Sequence, residues 1–273
     1  MDHGPPPFAV TRICKTTGLG LVPSCGQATT RLAKIAYGPM SPLLRVVGED
    51  PGSWGRFDVP GHRTIYSASP VAASYAEALA VFRTSGLSIP LQQLFPDTPG
   101  GHGPQTLLEQ VAKEWSEDQC IMPLGSVPAG WRHDRLEYPI TLPPTGWFVN
   151  IEDSNTLAAL NDAIAQFLHP TAASPAAEFT RAGVLDNNRV VTTLLAEWVH
   201  GQVLDDGELP HGIVFGSKHG SDYNCVAVWL RAVDDGKSLT SEPTKSGTGL
   251  EVKKPEHNEP LKTIAEQFHL FIH

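Results

Sequence analysis

The chain has 273 residues, 41% of them hydrophobic and 18% charged, and its formal net charge is −9. That length supports one large domain or two small ones with a sizeable buried core, and the composition reads as globular rather than disordered. The acidic balance argues against broad binding to nucleic acid or an anionic membrane, since no basic field neutralises phosphates, yet it allows a local basic pocket for one dinucleotide.

No apolar run approaches the roughly 20 residues of a membrane span, so no membrane partner is expected. Met1–Pro7 has neither a basic n-region nor an apolar h-region, so no secretory signal is expected. Cys14, Cys25, Cys120 and Cys225 form no C-x-x-C pair and are too few for a disulfide scaffold. A reducing cytoplasm is the expected location.

Residues 1–40 mix Pro, Gly, Thr and Ser and read as an N-terminal extension with one short helix, Gln27 to Ala36. A main domain is expected over 41–232, and a polar tail with a short terminal element over 233–273. Leu43 to Val47 reads as a strand, Gly48 to Trp54 as a loop, and Thr64 to Ser67 as a second strand. Ser67 or Ser69 caps a helix that has Pro70 in its first turn and runs to about Arg83. Leu91 to Phe95 is a short apolar stretch before a Gly/Pro loop, and Thr106 to Cys120 has helical spacing.

Arg135 to Leu142 and Gly146 to Ile151 read as strands. Asp153-Ser154-Asn155 caps a helix over Thr156 to Leu168, and residues 169–180 read as a surface loop or short helix. Asn188 to His200 is a strong helix. Gly212 to Phe215 and Cys225 to Leu230 are strands joined through Ser217 to Asn224. Asp234 to Pro260 reads as a flexible linker, and Leu261 to Phe271 as a docked helix or strand. The irregular alternation without regular βαβ spacing suits an α+β or mixed sheet better than a doubly wound parallel sheet.

One stretch carries chemistry. Gly55-Arg56-Phe57-Asp58-Val59-Pro60-Gly61 precedes Ile65-Tyr66-Ser67-Ala68, and Glu77 follows in an alanine-rich helix. An enzyme acting on a dinucleotide needs a cation for the diphosphate, a flat face for the heteroaromatic ring, and a group that stabilises charge at the ribose carbon. Arg45 and Arg56 suit the first need, Tyr66 the second and Glu77 the third, while the Ser217 hydroxyl can hold an oxyanion. Each also has an ordinary reading: a surface arginine, a rim aromatic, a solvated helix acid and a turn serine. The ordered combination is what points to a site.

These motifs resemble the RES domain. Gly55-Arg56-Phe57-Asp58 is similar to its arginine turn, and Tyr66-Ser67-Ala68-Ser69-Pro70 with Ala76-Glu77 to its tyrosine, helix start and helix acid. Leu44-Arg45-Val46 resembles its early strand arginine. His211-Gly212-Ile213-Val214-Phe215-Gly216-Ser217, with Asn224 beyond, resembles its late strand, serine and asparagine. The resemblance implies an ADP-ribosyltransferase-like α+β fold, a mixed split sheet with flanking helices, and an enzyme that consumes NAD as substrate, with no separate cofactor. It implies cleavage of the nicotinamide–ribose bond by phosphorolysis or hydrolysis, in a toxin restrained by an antitoxin protein. It further implies that Arg45 and Arg56 bind phosphate, Tyr66 meets the nicotinamide side and Glu77 the ribose. Ser217, with Asn224 nearby, would serve the phosphate or ribose region.

Two departures stand out. Val191-Thr192-Thr193 falls where the family often carries Gln, and Gly216 precedes Ser217 where Pro is common. A non-catalytic nucleotide-sensing or protein-binding module is the alternative, and a structural protein with an incidental match the third reading. The 11 histidines show no H-E-x-x-H or Cys/His cluster, so no metal site is expected. No G-x-S-x-G elbow, P-loop or complete dinucleotide fingerprint is present.

Overall fold

The structure, a computed structural model, describes residues 8–40, 44–83, 125–167, 179–231, 234 and 245–273. The chain divides into two compact units. The first is Met1–Ser74 with Leu136–Leu250, and the second is Tyr75–Arg135 with Glu251–His273. The fold is mixed α+β, with a large mixed sheet and flanking helices.

The first unit is built on that sheet. Its strands are β1 (Arg12–Ile13), β2 (Gly20–Pro23), β3 (Ala28–Lys34), β4 (Thr64–Ser69), β6 (Arg135–Thr141), β7 (Trp147–Asn150), β8 (Gly212–Gly216), β9 (Asn224–Trp229) and β10 (Lys245–Ser246). Across the sheet they run β1-β2-β7-β8-β9-β4-β3-β6-β10. β7 and β8 are parallel, while β8–β9, β9–β4 and β4–β3 are antiparallel. Between β7 and β8 the chain forms α3 (Ser154–Phe167), α4 (Arg181–Val184) and α5 (Arg189–His200). Leu250, in the two-residue strand β11 (Leu250–Glu251), closes this unit.

Strand alternation sorts the central side chains onto two faces. Ile65 pairs across β9 with Val228, and Ser67 with Val226. Ile65, Val226 and Val228 join Ile140, Phe148 and Val214 in one buried core. Tyr66, one residue along, is paired with Ala227 and so projects from the other face. There Phe57, Phe215 and Trp229 are buried, as are Leu195, Ala196 and Val199 of α5. Gly212 is required where β8 and β9 meet, because a Cβ on it would stand 1.9 Å from the Ala227 carbonyl oxygen.

Ser67 and Ser69, expected to cap a helix with Pro70 in its first turn, lie in β4, and the helix begins at Val71, after Pro70. Two other helix starts follow the expected caps. Asp153 Oδ1 accepts from Asn155 N at 3.0 Å at the head of α3, and Asn188 Oδ1 accepts from Val191 N at 3.3 Å at the head of α5.

Several elements differ from expectation. Gln27 to Ala36, expected as a helix, contains strand β3. Its β-branched pair Thr29-Thr30 suits a pleated surface, with Thr30 paired to Ala68 and Thr29 Oγ1 donating to Ser67 Oγ at 2.8 Å. Residues 12–34, expected within an extension, thus supply three strands of the sheet. Leu44 to Val47, expected as a strand, is a loop with Leu44, Val46 and Val47 exposed. It is pinned where Gly61 N donates to Arg45 O at 2.8 Å. In the expected linker, Ser246 pairs with Ile140 of β6, and Gly247 N donates to Pro139 O at 2.8 Å. Leu43, the stretch Leu91 to Phe95, the helix Thr106 to Cys120, and residues 168–178 and 235–244 lie outside the described residues.

The second unit holds β5 (Ser126–Val127), α2 (Ala129–His133), α6 (Glu259–Phe268), β12 (Phe271–Ile272) and most of α1 (Val71–Leu79). α6 buries Leu261, Ile264, Ala265 and Phe268. Its N-cap Asn258 accepts from Leu261 N at 3.0 Å and donates to the Tyr75 hydroxyl at 2.7 Å. β12 lies parallel to β5, and the Arg132 guanidinium donates to His273 O at 2.7 Å. The terminal segment Leu261 to Phe271 therefore forms both a helix and the start of a strand. Among the described residues no helix is long and apolar enough to cross a membrane.

At the end of α5, His200 packs against the rings of His62 at 4.2 Å and Trp229 at 5.1 Å. Burial, with Arg231 and His62 nearby, pushes its pKa down from 6.5 to about 3. The folded state thus disfavours the proton that the unfolded chain accepts below pH 6.5, so stability is lost as pH falls toward 3. Urea unfolding should show about 2 kcal/mol less stability from this group at pH 5 than at pH 7.5. His200→Gln should flatten that slope, and an unchanged slope in the variant contradicts the assignment.

Candidate functional site

The arginine turn of the first unit is organised by one carboxylate. Asp58 is 2% exposed and accepts three hydrogen bonds. Arg45 Nε donates to Oδ2 at 2.6 Å, Gly55 N to Oδ2 at 2.9 Å, and the Tyr66 hydroxyl to Oδ1 at 2.8 Å. Phe57 N returns a bond to the Tyr66 hydroxyl at 2.9 Å. The Phe57 carbonyl takes the Trp229 indole N–H at 3.1 Å. Gly55 is forced by this closure, since a Cβ there would lie 2.5 Å from the Tyr66 hydroxyl and 2.7 Å from Asp58 Oδ1.

The turn holds Arg56 half-buried, its guanidinium carbon 5.5 Å from the Phe215 ring centroid and 5.9 Å from that of Phe57. Two more arginines meet it. Arg31 Nη1 donates to the Tyr66 carbonyl at 3.0 Å, and Arg189 Nε to the Trp54 carbonyl at 3.0 Å. Arg31 Nε and Arg189 Nη1 are buried with no hydrogen-bond partner among the described residues. Burial lowers the Arg31 pKa to about 10, against the pull of Tyr66 and Asp58, so it remains a cation at neutral pH. Burial and the Asp58 charge push the Tyr66 hydroxyl well above its ordinary value, which keeps it a proton donor.

A second group of polar residues marks the end of β8. Ser217 N donates to Tyr223 O at 2.9 Å, and the Ser217 hydroxyl accepts from His219 N at 3.0 Å, so Ser217 fastens the loop to β9. Asn224 opens β9 opposite both Gly216 and Ser69. The Glu152 carboxylate accepts from Gly216 N and from Arg181 Nε. Phe215, beneath Arg56, lies two residues before Ser217 on the same strand.

Arg45, Arg56 and Tyr66 thus surround one turn, and Ser217 and Asn224 stand at the ends of the neighbouring strands. Arg45 does so from a loop rather than the expected strand. The Tyr66 hydroxyl is committed to Asp58 and Phe57, which leaves the accessible part of its ring for a ligand. Glu77 belongs to the second unit, on the exposed side of α1 beside buried Tyr75, Ala76 and Leu79.

Sequence reasoning passed over Asp58, Arg31, Arg189 and Glu152 as site residues. Arg31 was hidden by reading its strand as a helix. Arg189 carried a usable signal, a cation directly after the N-cap Asn188. Asp58 stood in the quoted motif without a role assigned to it, and Glu152 carried no signal, because its bonds to Gly216 and Arg181 join parts of the chain that only the fold brings together. In chemical terms the turn offers guanidinium donors beside aromatic surface, a combination suited to an anionic, ring-bearing ligand.

No family model, curated protein or solved structure matches the chain.

Tyr66→Phe leaves one oxygen of a buried carboxylate and the Phe57 N–H without their partner. It should destabilise the protein by about 1–3 kcal/mol in urea unfolding. A midpoint and slope unchanged from the parent contradict the hydrogen-bonded closure.

Proposed function

We propose that the chain is an NAD-consuming enzyme that cleaves the nicotinamide–ribose bond, on a framework of the ADP-ribosyltransferase type. What carries this reading is the cluster of Arg31, Arg45, Arg56 and Arg189 about the Gly55–Asp58 turn and β4 of a chain with net charge −9. A diphosphate suits these donors, and a nicotinamide ring suits the accessible face of Tyr66.

An oxygen of water or inorganic phosphate forms a bond to ribose C1′ as the C1′–nitrogen bond breaks. The bonding pair leaves with the pyridinium nitrogen, which becomes neutral nicotinamide, and a water nucleophile gives up its proton to solvent. Arg45 and Arg56 hold the diphosphate throughout, with Ser217 and Asn224 serving the phosphate or ribose end. The RES resemblance assigns the ribose carboxylate role to Glu77, which belongs to the second unit, and the reading rests on the arginine turn of the first unit alone. It also suggests a toxin restrained by an antitoxin protein.

The non-catalytic alternative has two observations in its favour. The Tyr66 hydroxyl is wholly engaged within the turn, and the Ser217 hydroxyl accepts a bond from its own loop.

Incubation of the purified protein with NAD, with and without phosphate, and product identification by mass separates these readings. Release of nicotinamide is expected, with Arg56→Ala lowering the rate about 100-fold while the fold is retained. Glu77→Gln tests the carboxylate assignment independently. NAD binding without turnover supports the binding module, and full turnover in Arg56→Ala rejects the site.

A further inference from the structure

A separate cavity of about 460 Å³ in the first unit lies among the β1–β2 segment, α3 and the end of α5. That volume falls within the range of small-molecule sites, about 300–1,000 Å³. Its walls are sorted by chemistry. Ile13, Ala158 and Trp198 give it an apolar and aromatic side. The polar lining comprises the Thr16 and Thr17 hydroxyls, the Asn155 and Gln202 amides and Asp162. Asn155 gives one amide N–H to Asp153 at 3.2 Å, and Gln202 gives one to the Trp198 carbonyl at 2.9 Å.

Asp162 adds a carboxylate that forms no ion pair with a described residue. No Lys, Arg or His is among the lining residues described. An anion would find no complementary charge here. A cation with an apolar body would meet a carboxylate and, along its stem, an indole.

We propose that this cavity binds an ammonium group carried on a short aliphatic stem, either a free alkylamine or a lysine side chain of a peptide. The head group sits against Asp162, and the stem lies along Ala158, Ile13 and Trp198. The site is distinct from the arginine turn in both charge and lining, and it does not depend on the NAD reading.

Ligand-observed NMR titration of the whole protein with 1,4-diaminobutane, n-butanol and Nα-acetyl-lysine methylamide tests it. The diamine or the lysine derivative should bind, and n-butanol, which has the stem without the charge, should bind at least about threefold more weakly. Asp162 is exposed, so Asp162→Asn should fold normally and weaken the amines by about threefold. Ala158→Leu, at a solvent-facing helix position, should block both by filling the cavity. Preference for the diamine identifies a free amine as the ligand, and equal or tighter binding of the lysine derivative identifies a peptide side chain. Equal affinity for n-butanol, no binding of either amine, or amine binding unaffected by both substitutions overturns the proposal.

Discussion

A buried carboxylate with three donors holds the first unit's candidate site in shape. Asp58 ties a loop arginine, a turn amide and a strand tyrosine to one point. Taking a carboxylate out of water is costly unless its oxygens are satisfied, and here charge-assisted bonds satisfy both. Removing Arg45 leaves the charge uncompensated, and removing the Tyr66 hydroxyl leaves one oxygen unsatisfied, so the stability of the three segments is coupled. The closure leaves no space for a side chain at Gly55, and it delivers Arg56 onto the Phe57 and Phe215 rings.

The sheet beneath explains why the turn can sit there. Tyr66 projects from the face opposite Ile65, and its cross-strand neighbour is the small Ala227. Next along, Gly212 lets β8 approach β9 closely, which puts Phe215 within edge contact of Phe57 at 4.8 Å. The same strand then ends in the loop fastened by Ser217, with Glu152 bonded to Gly216. A cation-bearing turn and a polar strand end are therefore linked through β8. An anionic ligand with two separated polar parts is the kind of molecule that this spacing suits.

Much of the element pattern was legible in the residues, and the reasons for the failures are physical. β8 and β9 declare themselves as short apolar runs between turn residues, β4 as a short strand after a Gly/Pro turn, and α3 and α5 by their Asp and Asn caps. β3 was misread because Gln27 to Ala36 carries no breaker, and only cross-strand partners such as Ala68 decide for a strand. Arg45 lies in a short apolar run that looks like a strand. Its backbone meets a turn at Gly61 and His62 instead of a ladder. The Arg56 and Tyr66 neighbourhood was readable from the motif. The bond between Tyr66 and Asp58 was not, since spacing alone does not show which hydroxyl meets which carboxylate.

The most direct measurement is calorimetric titration of the intact protein with ADP-ribose and, separately, adenosine at two salt concentrations. These ligands share the base and one ribose but differ in the diphosphate. If the arginine turn grips a diphosphate, ADP-ribose binds, adenosine does not, added salt weakens the complex, and Arg56→Ala abolishes it. Equal binding of the two ligands, or ADP-ribose affinity untouched by salt and by Arg56→Ala, contradicts it.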